Sequence, residues 1–174
     1  MKEIMISINP PFSKQIINGE KPMEFRKKVL NIMKDKDNFG KIKIYIYETK
    51  NKDGCGKVIG EAIMYNLFNV GYLDERIKPD SYLYTDDRYQ CIRNLYIRWC
   101  INNNILPNMN EGWFKSKKFM KYIKTIGWSD NFNFAIGLNH VKQYEEPFSL
   151  GSFINTSGIP MKYPPQNMCQ CFKR

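Results

Sequence analysis

The alternation Ile42-Lys43-Ile44-Tyr45-Ile46-Tyr47 constrains the fold more than any other feature of this chain. A period of two places three isoleucines on one face and Lys43, Tyr45 and Tyr47 on the other, which is the pattern of a strand rather than a helix. Such a strand needs a neighbour. The loop at 50–57, with Gly54 and Gly56, turns the chain into 58–64, whose composition predicts a hairpin partner; Gly60 within it marks a bulge or a close backbone approach. Neither a Walker nor a Rossmann spacing accompanies these glycines, so a phosphate loop is not expected. Ile4, Ile6 and Ile8 repeat the alternation at the start of the chain, and Phe132, Phe134, Ile136 and Leu138 repeat it near the end.

Between these strands the signals are helical. Asn9-Pro10-Pro11-Phe12 opens a short helix carrying Phe12, Ile16 and Ile17 on one face, with Gly19 placed to cap its C-terminus. Residues 65–130 change character. From Asp86 or Asp87 as N-cap, Cys91 or Ile92, Leu95, Trp99 and Cys100 recur at three- and four-residue intervals, predicting one helix that ends at Asn102-Asn103-Asn104. A second is predicted from Asn110 or Glu111 to Gly127. It carries Lys115, Lys117, Lys118, Lys121 and Lys124 around Phe119, Met120 and Ile123, and no acid falls between 112 and 129. This lysine face is either a solvated surface or a track for phosphates. A turn is predicted at Tyr144-Glu145-Glu146-Pro147-Phe148, and an extended tail after Pro164-Pro165. The order of elements predicts an α+β fold, a small curved sheet or barrel in one domain spanning 1–174, with a helical insertion at about 65–130.

Charge and cysteine content narrow the partners. The 174 residues hold 27 Lys and Arg against 17 Asp and Glu, a formal net charge of +10. A lysine-rich, asparagine- and isoleucine-rich composition accounts for part of that excess, yet the charge still draws the protein toward polyanions, because phosphate contacts release counterions. Nucleic acid is therefore the expected partner. Five cysteines with no CxxC, and His140 as the sole histidine, do not suggest a metal site or cofactor; reduced, buried thiols and a cytoplasmic location are expected. No apolar run is long enough for a membrane span, and the start MKEIMISINPP does not read as a signal peptide.

The densest polar constellation is Gly19-Glu20-Lys21-Pro22-Met23-Glu24-Phe25-Arg26, at the junction of a helix end and a strand. The spacing Gly19-x-Lys21-x-x-Glu24-x-Arg26 resembles the signature of the ASCH domain family, a branch of the PUA-like superfamily. Other segments resemble that family in the same order: Ile6-Ser7-Ile8 with Pro10, the hairpin Ile44-Tyr45-Ile46-Tyr47 and Val58-Ile59-Gly60-Glu61, Phe134-Ala135-Ile136 through Pro147-Phe148-Ser149-Leu150, and Pro164-Pro165-Gln166. Residues 65–130 have no counterpart in it. The resemblance implies a β-barrel-like α+β fold with a cleft, in which the motif lines a pocket suited to RNA or a nucleotide.

The residues themselves suit such a role. Arg26 offers a planar fork for a phosphate or carboxylate, and Lys21 a compact charge at the cleft mouth. Between two cations, Glu24 is expected to be ionised and to accept from the amino or imino edge of a base. Tyr45 and Tyr47, if they face the same cleft, provide stacking surfaces; otherwise they pack beneath the inserted helices. The alternative for the charged trio is structural, with Glu24 and Arg26 pairing across one strand face. Three functions are carried forward. The first is an RNA or nucleotide reader without chemistry. The second is a hydrolase acting on RNA or a modified nucleoside, with Lys21 and Glu24 as its acid and base; Glu24 stands where amidohydrolase-like members of the family have Thr, so a hydroxyl nucleophile is absent there. The third is a protein-interaction module that uses the insertion.

Overall fold

The computed structural model describes residues 1–70, 87–107, 116–129 and 131–174. Its elements run β1 (Lys2–Ile8), α1 (Phe12–Ile17), β2 (Met23–Arg26), α2 (Asn31–Lys34), β3 (Ile42–Glu48), β4 (Lys57–Asn69), α3 (Asp87–Asn102), α4 (Lys117–Thr125), β5 (Phe134–Phe148), β6 (Phe153–Ile154), β7 (Met168–Gln170) and β8 (Phe172–Lys173). Six strands form one sheet in the order β2-β5-β4-β3-β1-β7, and β6 pairs with β8 separately. β1 and β3 run parallel, Ile4 opposite Ile44 and Ile6 opposite Ile46, with α1, β2 and α2 in the connection between them. The other pairs in the sheet are antiparallel. The class is α+β, as expected.

Three apolar clusters hold the sheet. Ile4, Ile6, Ile8, Ile42, Ile44 and Ile46 meet Ala62, Met64, Ile136 and Leu138 on one face, closed by Ile16 of α1 and Met33 of α2. Met5, Tyr45, Tyr47, Val58 and Tyr144 form a second cluster with Phe153 and Cys171 of the C-terminal segment. Both faces of β3 are thus buried. The third cluster joins Met23, Phe25, Phe68 and Ala135 of the sheet to Cys91, Leu95, Tyr96 and Cys100 of α3 and Phe119 and Ile123 of α4.

Two boundaries differ from the sequence reading. β4 continues to Asn69, pairing Leu67 with Ile136 and Phe68 with Ala135, so 65–69 belong to the sheet rather than to the insertion. β5 runs unbroken to Phe148, where a turn was expected. Register shifts let it bend, Val58 pairs with Phe148, and Tyr144 is held by donating to Glu61 Oε2 at 2.6 Å. The expected helix starts at Asp86, Asn110 and Glu111 lie outside the described residues, as does Lys115. Among the described residues no helix is long and apolar enough to cross a membrane.

Gly60 does mark a close approach. It sits at a register shift in β4, and a Cβ there would lie 2.5 Å from Lys142 O and 2.5 Å from Ile17 Cδ1. The first of these neighbours is backbone and cannot swing away. Gly60→Ala is therefore expected to lower stability by about 1–3 kcal/mol, read as a lower urea midpoint; an unchanged midpoint would show that β5 yields there at no cost.

Candidate functional site

The motif begins where α1 ends. Gly19 takes φ +76° and its N–H bonds to Ile16 O, which turns the chain so that Lys21 re-enters the protein. Lys21 Nζ donates to Ile126 O, the C-cap carbonyl of α4, at 2.5 Å, and lies 3.4 Å from Glu24 Oε2. The rings of Phe25 and Phe12 stand 4.3 Å and 5.0 Å from the ammonium. Lys21 is only 2% exposed. Desolvation lowers its pKa, an effect the Glu24 carboxylate opposes and the Arg26 charge reinforces.

On β2, Met23 and Phe25 face α3 and α4, while Glu24 and Arg26 point the other way. Arg26 Nη2 lies 2.8 Å from Glu24 Oε1 and donates to Ser7 O at 2.7 Å, and Nη1 donates to Asn167 Oδ1 at 2.9 Å. Asn167 in turn donates to Lys28 O at 3.0 Å. β2 and β7 are the two edges of the sheet, so this chain of bonds ties one edge to the other and closes the curl. Arg26 Nε is buried without a partner among the described residues.

Lys21, Glu24 and Arg26 are thus brought together as a closed ion-pair network. Tyr45 and Tyr47 do not join them. They are 1% and 3% exposed, on the side of β3 covered by the C-terminal segment, where the Tyr45 ring meets Phe153 edge-on at 4.8 Å. The expectation that they offer stacking surfaces beside the motif is corrected, and so is the expectation that they pack beneath the inserted helices. The cause is the tail, whose Phe153 and Cys171 cover that side of β3.

Four of the five predicted lysines fall on α4. Lys117, Lys118, Lys121 and Lys124 are all exposed, Phe119 and Ile123 are buried, and Met120 is 39% exposed. Among the described residues none of the four lysines has an ion-pair partner. The helix is fixed against the motif by Lys21 on Ile126 O, by Tyr122, which donates to Glu20 O at 2.9 Å, and by Gln15 Nε2, which donates to Thr125 O at 3.4 Å. Its inner side packs Phe119 edge-on against Tyr96 and at a tilt against Trp99 and Tyr122. The geometry of the motif therefore seats a lysine-faced helix.

A cavity of about 440 Å³ lies beside the motif, lined by Pro22, Met23, Tyr65, Asn94, Ile97, Arg98, Ile101, Leu138 and Asn139. Its motif residues are the uncharged Pro22 and Met23. The sequence reading missed Asn94 and Arg98, although Asn94, Ile97, Arg98 and Ile101 follow the i, i+3, i+4, i+7 spacing of one helix stripe. It also missed Asn167, for which an isolated Asn in a tail carries no signal.

No family model and no curated protein matches the sequence. In structure the chain is similar to the ASCH protein of Zymomonas mobilis, at 19% identity and a TM-score of 0.48, with 97% of this chain and 87% of that chain covered. Two mutant structures of the same Zymomonas mobilis protein are similar at 18% identity, with TM-scores of 0.48 and 0.46, covering 97% and 98% of this chain and 87% and 90% of theirs.

Proposed function

We propose that the protein binds RNA without turnover, through the lysine face of α4 held in place by the Lys21-Glu24-Arg26 network. The observation that carries this reading is the set of four exposed lysines, unpaired among the described residues, on a helix whose C-cap carbonyl is held by the buried motif lysine. On a chain of net charge +10, this face presents a row of ammonium groups to a phosphate backbone. Lys21 and Glu24 act as structural members. The ammonium is already shared by a carbonyl, a carboxylate and two aromatic rings, and no hydroxyl stands at position 24 for acyl transfer.

Binding is expected to weaken steeply with salt, log affinity falling by about 0.7 per phosphate contact for single-stranded RNA. Replacing Lys117, Lys118 and Lys121 together by Gln should flatten that slope by about 2, measured by fluorescence anisotropy across a salt series. A variant with the wild-type slope would show that α4 touches no phosphate.

A further inference from the structure

The cavity beside the motif has features that packing alone does not require. Asn139 Oδ1 lines it and is buried without a donor among the described residues, an arrangement that folded proteins avoid. Its volume of about 440 Å³ falls inside the range of small-molecule pockets, roughly 300 to 1,000 Å³. The walls are apolar at Pro22, Ile97 and Leu138, with the two amides Asn94 and Asn139 between them. Tyr65 is set into the sheet because position 137 lacks a side chain: a Cβ there would fall 2.6 Å from the Tyr65 ring. The exposed Arg98 also lines the cavity, with no ion-pair partner among the described residues.

We propose that this cavity binds a nucleoside monophosphate, either free or as an unpaired residue of the RNA held by α4. The ligand class rests on the RNA-binding reading above; the site does not. A base amino or imino group satisfies the orphaned Asn139 oxygen, the second amide at Asn94 completes a base-edge pattern, and the apolar walls take the flat ring. The phosphate then meets the Arg98 fork. The Arg98 charge favours the ionised form of Tyr65 and of Tyr122 on α4, but burial outweighs it at both. Burial keeps both phenols protonated well above neutral pH, so neither repels a phosphate.

The test is calorimetric titration of the wild-type chain with AMP, GMP, CMP and UMP, repeated on Arg98→Gln and Asn139→Leu. At least one monophosphate is expected to saturate, with about a tenfold or greater loss of affinity in each variant and for the nucleoside that lacks the phosphate. Arg98 is exposed, so its variant should keep the wild-type melting temperature. Displacement of the bound monophosphate by short single-stranded RNA identifies a strand residue as the natural occupant; simultaneous binding of both identifies the free nucleotide. The proposal is overturned if no monophosphate binds, or if Arg98→Gln and Asn139→Leu bind like wild type. RNA affinity without monophosphate binding would sink this proposal alone, whereas monophosphate binding without RNA affinity would sink the RNA reading and leave the cavity assignment standing.

Discussion

Glu24→Gln should destabilise the fold by about 3–5 kcal/mol, because it removes the carboxylate shared by two buried or nearly buried cations while leaving both in place. Lys21 is 2% exposed and the Arg26 side chain 14%, so water replaces little of what is lost. At about 2–4 °C per kcal/mol for a chain of this size, the melting temperature should fall by roughly 10 °C. The loss should also depend on pH. Burial sets the folded pKa of Lys21 below its ordinary 10.5, so between the folded value and 10.5 the unfolded chain holds more protons and stability rises with pH. Below the folded value the cost of burying the ammonium is felt in full. Removing Glu24 removes an influence that raises this pKa, so the window opens at lower pH in the variant, and raising the pH toward 10.5 should restore part of its lost stability. A variant that melts like wild type but loses ligand would instead make the trio a free recognition site.

Phe119→Ala should cost a similar amount, about 3–5 kcal/mol, and should take RNA binding with it. Phe119 is fully buried between α3 and α4, with ring centroids of Tyr96, Trp99 and Tyr122 at 5.1, 5.9 and 6.1 Å. Its loss leaves a cavity under the helix that carries the lysines. Met120, one residue on and 39% exposed, provides the comparison: Met120→Ala should change stability by no more than about 0.5 kcal/mol and leave binding intact. Denaturant unfolding of the pair measures the first difference and anisotropy the second. Equal losses in the two variants would contradict the packing described for α4.

What could be read from the sequence followed periodicity. The isoleucine alternations of β1 and β3 placed the strands because the isoleucine face of each enters one core, and the glycines at 19 and 60 were legible because the first takes a positive φ at a helix end and the second leaves room for a neighbouring backbone. Lys21, Glu24 and Arg26 were found because they lie within six residues of one another. Their partners were not. Ile126 O, Ser7 O and Asn167 come from distant parts of the chain, and only the closure of the sheet brings them together. The tyrosines failed for a related reason: period two says that Tyr45 and Tyr47 share a face, but not that Phe153 and Cys171 return to cover it. The extra length of β4 and β5 was hidden by bulges, which break the alternation that marks a strand.

Lysine footprinting tests the central claim most directly. Acetylation of the native protein should modify Lys117, Lys118, Lys121 and Lys124 readily and spare the buried Lys21; saturating single-stranded RNA should then protect the four α4 lysines while exposed lysines elsewhere, such as Lys50 and Lys52, keep their reactivity. Equal modification of the α4 lysines with and without RNA, or protection confined to other lysines, would contradict the account.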